Sequence, residues 1–85
     1  MEIKIIRLNR INKEGSLRAF VDLNLNSLTV KGFKVIQGTK GLFLSNPSEK
    51  GKDGKYYDTV LFDNLSDKQE VEARVLEEFG REATQ

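Results

Sequence analysis

The chain of 85 residues contains no cysteine, no histidine, no tryptophan and only one proline. The lack of cysteine and histidine excludes disulfides, thiol nucleophiles, imidazole acid–base catalysis and the usual structural zinc sites. No apolar run approaches the ~18 residues that span a bilayer. We therefore expect a cytoplasmic protein that is not an enzyme, needs no cofactor or metal ion, has no small-molecule substrate and does not enter a membrane.

The length and the charge distribution suggest one small domain, residues 1–85, with a basic first part. A chain of this size buries a smaller fraction of its surface than a larger domain does, which makes oligomerisation plausible. Residues 1–60 carry eleven Lys and Arg against six Asp and Glu, whereas residues 61–85 carry three against seven. The basic part is compatible with a polyanionic partner, although a pI near 8.0 is modest for a nucleic-acid-binding domain.

Residues 1–63 have the patterns of a sheet. In residues 17–25 apolar side chains alternate with polar ones, which is the period of a strand with one buried face. Residues 12–15 form a short loop ending in glycine and predict a hairpin between this strand and the first one. The apolar phase slips near Ile5 and again around Gly32, and each slip predicts a β-bulge.

Two further strands are expected at residues 42–45 and 56–62, with Pro47 ending the first of them because proline cannot donate to a ladder. The prediction is thus an α+β fold: a five-stranded antiparallel sheet of hairpins, followed by a C-terminal α-helix packed on it.

The helix is predicted over about residues 66–80. Ser66 and Gln69 have the spacing of a capping box, and Gly80 is suited to end the helix in a left-handed conformation. Residues 81–85 are expected to fray. One apolar stripe at four-residue spacing should pack on the sheet: Val71, Val75 and Phe79.

The loop between the last two predicted strands is a candidate binding site. Asp53 and Gly54 supply turn chemistry, because glycine tolerates positive φ and aspartate can bond to the nearby backbone. Around this turn lie Lys50, Lys52 and Lys55. Such a loop could bind a phosphate backbone, but charge alone more often indicates a solvated hairpin tip.

Three arginines form a second candidate. Arg7 and Arg18 lie on strands predicted to pair, and Arg10 lies near the loop that joins them. If they share a face, they would suit phosphate contacts beside the ring of Phe20. The alternative is ordinary cross-strand pairing of Arg18 with Asp22 or Glu14.

The order of several short motifs resembles that of the SpoVG family, the stage V sporulation protein G or septation regulator of bacteria. The resemblance covers roughly residues 1–60. It is carried by the following stretches: Met1-Glu-Ile, Arg7-Leu8, Arg10-Ile11-Asn12, Gly15, Leu17-Arg18-Ala19, Val35-Ile36-Gln-Gly38, Gly41-Leu42-Phe43, Pro47-Ser48 and Asp53-Gly54 with Asp58.

The resemblance implies an antiparallel sheet followed by helical structure, a homodimer, and DNA and RNA binding by a cytoplasmic regulator of septation, sporulation or related gene expression. Arg7, Arg10 and Arg18 match family positions. The family's hairpin loop usually has a basic pair after Pro-Ser; here those positions are Glu49 and Lys50, so one basic charge has become acidic.

Two functions from different classes follow. The first is a homodimeric nucleic-acid-binding regulator that contacts phosphates through Arg7, Arg10, Arg18, Lys50, Lys52 and Lys55. The second is a protein–protein adaptor that uses a sheet edge or the acidic face of the helix and binds no nucleic acid.

Overall fold

The fold combines a four-stranded antiparallel sheet, a two-stranded arm and one helix, in a computed structural model that describes residues 1–83. In chain order the elements are β1 (Ile3–Arg10), β2 (Leu17–Leu25), β3 (Leu28–Gly38), β4 (Gly41–Ser45), β5 (Ser48–Lys50), β6 (Tyr56–Asp58) and α1 (Leu65–Ala83). The strands of the sheet lie in the order β1-β2-β3-β4, and β5 pairs only with β6. The predicted α+β class is confirmed.

The core lies between one face of the sheet and α1. The inward residues of β2 are those that the alternating pattern indicates, and they are fully buried together with two valines of the predicted helical stripe. Burial of each valine, leucine or phenylalanine side chain contributes about 1.5–3 kcal/mol. The buried apolar set is Ala19, Val21, Leu23, Phe33, Val35, Leu44, Val71 and Val75.

Both predicted bulges are present. The register of β1 against β2 shifts between Ile5 and Arg7. Gly32 has φ +99° and lies where the register of β2 against β3 shifts. Val21 pairs with Phe33, and beyond Gly32 the next pair on the core face is displaced along β3. A side chain at Gly32 would also come within 3.6 Å of Pro47, which places this bulge against the start of the arm.

The prediction of five strands in one sheet is wrong, because side chains of α1 occupy the outer edge of β4. The backbone N–H of Leu44 donates to Oε2 of Glu72 over 2.9 Å, and the ammonium of Lys68 donates to the carbonyl of Leu44 over 2.7 Å. The backbone N–H and carbonyl of Leu44 therefore both bond to side chains of the helix instead of to another strand. No further strand can pair at this point, and the chain forms the separate arm instead.

The predicted strand at residues 56–62 is therefore cut short at Asp58. The residues after it run back past the base of the arm, where Thr59 donates to the carbonyl of Pro47 over 2.8 Å and Asn46 donates to the carbonyl of Val60 over 3.0 Å. The ring of Phe62 then packs on the core, with its centroid 6.3 Å from that of Phe33. Val60 and Phe62 are apolar because they cover the core, whereas Leu61 between them is exposed.

The helix begins one residue earlier and ends later than predicted. Oδ1 of Asn64 accepts hydrogen bonds from the backbone N–H of Asp67 and from the hydroxyl of Ser66, so Asn64, and not Ser66, is the N-cap. Gly80 has no positive φ and lies inside the helix, which continues to Ala83. Residues 84–85 of the segment expected to fray lie outside the described residues. Within residues 1–83, no helix is long and apolar enough to cross a membrane.

Two glycine substitutions should change stability in opposite directions. We expect Gly32→Ala to lower the free energy of unfolding by about 1–2 kcal/mol, because a β-carbon is disfavoured at positive φ. Gly80→Ala is the matched control and should raise it by about 1 kcal/mol, since Gly80 lies within a helix with open space around it. Urea denaturation of both variants measures these changes; equal stability of Gly32→Ala and the parent would contradict the bulge.

Candidate nucleic-acid interface

The candidate loop is the tip of a hairpin arm formed by β5 and β6. Glu49 pairs with Tyr57 and Lys50 with Tyr56, so the two tyrosines lie on opposite faces of the arm. The tip is closed by a hydrogen bond of 2.7 Å from the N–H of Gly51 to the carbonyl of Lys55. The predicted turn chemistry is confirmed, since Gly54 has φ +85°.

Asp53 organises this tip with both oxygens of its carboxylate. Oδ1 accepts from the N–H of Lys55 over 3.0 Å, and Oδ2 accepts from the hydroxyl of Tyr57 over 2.5 Å. The Tyr57 hydroxyl, followed by the Lys55 N–H, lowers the pKa of Asp53, while the same bond to Asp53 raises the pKa of Tyr57. The ring of Tyr57 lies over Gly51, where a β-carbon would be 2.8 Å from Cε2.

The three lysines of the arm are exposed, and their ammonium groups are available to a partner. Within residues 1–83, none of Lys50, Lys52 and Lys55 forms an ion pair. The nearby carboxylate of Asp53 is turned back onto the tip by its two hydrogen bonds. Glu49, the acidic departure from the family's loop, is also exposed and stands opposite Tyr57. The arm thus presents exposed positive charges around a hydrogen-bonded turn.

The three candidate arginines do not share one face. Arg10 pairs with the buried Ala19 and therefore points toward α1, whereas Arg7 pairs with Asp22 on the opposite face. The guanidinium carbon of Arg10 lies 4.0 Å from the ring centroid of Phe79, and Nη2 donates to the carbonyl of the same residue. Arg10 thus binds the last part of the helix to the edge of the sheet, where a cation also complements the helix dipole.

Arg18 is brought close to Arg10 by an irregularity in β2. The register against β3 shifts between Leu17 and Ala19, so Arg18 has no regular partner there. Arg10 and Arg18 line one open cavity of about 580 Å³ together with residues 11–15 and Phe79. The alternative of an ion pair between Arg18 and Asp22 or Glu14 is not found in the described part of the chain.

Asp22 is bonded elsewhere, since Oδ1 accepts from the N–H of Gly32 over 3.3 Å in the bulge. Arg7 is exposed on the face of the sheet that α1 does not cover. The site residues therefore fall into three places: the arm, the cavity beside Phe79, and the uncovered face.

Tyr57 and Phe79 contribute to these places, although no sequence motif indicated them. The sequence signal that could have identified Tyr57 was its position across the hairpin from Glu49. From there its hydroxyl can reach back to Asp53 at the turn. Among the described residues, no three His, Cys, Asp or Glu side chains come together as a metal ion would require.

The bond between Tyr57 and Asp53 predicts a specific change in titration. Tyr57→Phe removes the hydroxyl that contributes most to lowering the pKa of Asp53, so we expect that pKa to rise toward its ordinary value of about 3.9. Because the pKa of folded Asp53 is lowered, the bond stabilises the tip above about pH 4 and is lost as the pH falls through the folded value. Carboxyl NMR titration measures this. Tyr56→Phe is the control, and an unchanged Asp53 pKa in Tyr57→Phe would contradict the contact.

Comparison with known proteins agrees with the motifs. The SpoVG family pattern matches residues 1–81, and so includes α1 as well as the 1–60 range of the motifs. A protein of Lachnoclostridium phytofermentans named as a septation protein, SpoVG, is 38% identical over 80 residues, which are 93% of this chain and 86% of that protein.

Proteins of the same name from two other bacteria are also similar. The protein of Agathobacter rectalis is 35% identical over 83 residues, covering 96% of this chain and 95% of its own length. The protein of Lachnospira eligens is 38% identical over 82 residues, which are 95% of this chain and 93% of that protein. The chain belongs to the SpoVG family.

Proposed function

We propose that this chain is a cytoplasmic nucleic-acid-binding regulator that acts in bacterial septation, sporulation or related gene expression. The names of its relatives support the link to septation. The observation that supports nucleic-acid binding best is the arm, where three exposed lysines that form no ion pair within residues 1–83 surround a turn held by Asp53. Lysines at such a tip can approach a phosphate backbone with little rearrangement of the arm.

The chemistry of the arm favours contact with phosphates rather than recognition of bases. Each ammonium is a point charge with three donors, and it carries no sequence information when it binds phosphate. Such contacts are possible with either DNA or RNA, because both present the same charged backbone. The exposed rings of Tyr56 and Tyr57, on opposite faces of the arm, could add stacking to these contacts.

The arginines have different roles in this proposal. Arg7 and Arg18 supply further phosphate contacts, on the uncovered face and in the cavity respectively. Arg10 lies in the same cavity as Arg18, but its guanidinium already contacts Phe79. We assign to Arg10 mainly the positioning of the cavity wall, with any phosphate contact secondary to that.

Salt dependence tests the arm. For duplex DNA, log affinity falls with log salt at a slope of about −0.9 for each phosphate contacted. The triple variant K50A/K52A/K55A should therefore have a slope that is smaller in magnitude by roughly three units. Fluorescence anisotropy with labelled duplex DNA at several salt concentrations measures it.

The matched control for this experiment is K31A/K40A, which removes two exposed lysines outside the arm. Its slope should remain close to that of the parent. If the triple variant has the same slope as the parent, the arm is not part of the interface. If the parent protein does not bind at low salt, the proposal of nucleic-acid binding is wrong.

We also propose that the chain forms a homodimer. The strand β1 is an edge of the sheet that no other strand of residues 1–83 pairs on its outer side, and such an edge favours association between chains. Two leucines beside the start of α1 are largely exposed, Leu61 at 73% and Leu65 at 69%. This pair of exposed leucines supports the proposal that the surface beside the start of α1 is covered in an assembly.

Light scattering at micromolar protein should give twice the chain mass of 9.7 kDa. The variant L61S/L65S should shift the mass toward the monomer, with little loss of monomer stability because both side chains are already exposed. Leu28→Ser is the control, since Leu28 is 66% exposed at the distant β2–β3 turn. A monomeric parent protein would contradict the dimer.

The same exposed leucines support a second function, that of a protein–protein adaptor without nucleic-acid affinity. A stoichiometric protein partner that remains bound after nuclease treatment, together with no anisotropy change on any nucleic acid, would favour the adaptor over the regulator.

A further inference from the structure

The sheet has one face that no other element of residues 1–83 covers. The helix packs on the face that carries Ala19, Val21 and Leu23, so the alternate residues of each strand point the other way. Two aromatic side chains lie on this uncovered face, Phe20 at 40% and Phe43 at 43% exposure. Aromatic rings are costly to leave in water, and their presence on an uncovered face indicates a partner.

The register places Phe20 among polar and cationic side chains and Phe43 in an adjacent apolar row. One row across the sheet joins Asn9, Phe20, Lys34 and Ser45, and the adjacent row joins Leu17, Ile36 and Phe43. The ring of Phe43 extends over Gly38, where a β-carbon would be 3.1 Å from Cε1. The absence of a side chain at Gly38 leaves room for this ring to lie along the sheet.

The charge of the sheet is strongly one-sided. Among the residues of β1–β4, six are Lys or Arg and a single one, Asp22, is acidic. The carboxylate of Asp22 is bonded to the N–H of Gly32. The uncovered face itself carries Lys4, Arg7 and Lys34. An occupant of this face must therefore offer both negative charge and flat apolar groups.

We infer that the uncovered face binds single-stranded nucleic acid, with bases stacked on Phe20 and Phe43 and with Arg7 and Lys34 on the backbone. The inference rests on the proposed function and specifies its ligand. Stacking on aromatic side chains of a sheet, within a positively charged surface, is an effective way to bind a single strand without reading its sequence.

The spacing of the two rings favours a single strand over a duplex. Phe20 and Phe43 are separated by two strand spacings, roughly 10 Å, and by two residues along the strands, roughly 7 Å. In a duplex both faces of each base are covered by the neighbouring bases about 3.4 Å away, so no base can stack on either ring. A single strand can separate its bases and place one on each ring, while the arm remains free to contact phosphates of either form.

A second copy of the chain fits this face less well. Two such faces packed against each other would bring Arg7 and Lys34 of each chain into a buried interface with too few carboxylates to pair them. Burial of unpaired charges opposes association. The positive charge of the face therefore favours a polyanion over another copy of this protein as the partner.

The test compares two double variants of the full chain. F20L/F43L keeps apolar side chains but removes the π faces, and F20Y/F43Y keeps the rings. We expect F20L/F43L to bind a labelled single-stranded dT oligomer more weakly by about 5- to 140-fold for each ring, which is 1–3 kcal/mol per stacked base converted at 1.4 kcal/mol per tenfold. Affinity for a duplex of equal length should change much less, and F20Y/F43Y should retain binding to both.

Each result separates this inference from the proposed function. If the parent binds nucleic acid and folded F20L/F43L binds the single strand equally well, the inference is overturned while the regulator stands. If the parent binds neither form at low salt, both are overturned. If F20L/F43L instead changes only the mass measured by light scattering, the face is an interface between copies and the inference fails. Urea denaturation establishes that each variant is folded.

Discussion

The bonding of Leu44 by the helix determines how the rest of the molecule is arranged. Lys68 and Glu72 lie one turn apart on α1, and together they satisfy the carbonyl and the N–H that β4 presents at its outer edge. Lys68 also donates to Oδ1 of Asn46 over 2.7 Å. Burial lowers the pKa of Lys68, and Glu72 opposes this shift by favouring the charged form. These charged hydrogen bonds offset part of the free-energy cost of removing the Lys68 ammonium from water.

Three consequences follow from this contact. The sheet stops at four strands, because the edge of β4 is already bonded at Leu44. The chain after Pro47 must then pair with itself, which makes the arm a separate two-stranded unit. The helix is also fixed over one face, from Leu44 near its start to Arg10 near its end, so the opposite face with Phe20 remains uncovered. Both candidate surfaces for nucleic acid therefore depend on how the helix is positioned.

Local patterns in the sequence were sufficient for the features that depend on neighbouring residues. The alternation in β2, the slips at Ile5 and Gly32, and the turn at Gly54 each report on a few adjacent side chains, and each prediction is confirmed. The strand count was wrong because it depends on Lys68 and Glu72 meeting Leu44 from more than 20 residues away. Nothing in residues 42–62 alone indicates that this edge is occupied.

The helix start and the arginines show a different kind of error. Asn64 and Ser66 are both good N-cap residues, and the choice between them depends on where the preceding chain leaves the core. Arg7 and Arg10 are three residues apart on one strand, so the two-residue period of a strand already places them on opposite faces. The candidate cluster was assembled from charge and from the expected strand pairing, whereas the strand period would have placed Arg7 and Arg10 on different faces.

The division of the arginines clarifies how the two cationic surfaces could work together. Arg10 is held by Phe79, so its charge stabilises the position of α1 and contributes only indirectly to binding. Arg7 and Lys34 lie beside exposed rings, where phosphate contacts and stacking can be combined. The arm lysines lie beside a turn that the two hydrogen bonds of Asp53 hold in place. The exposed rings of the arm, Tyr56 and Tyr57, lie on opposite faces, so one strand could not stack on both, whereas Phe20 and Phe43 share a single cationic face. In the proposed function the two surfaces would therefore differ in selectivity even though both would contact phosphates.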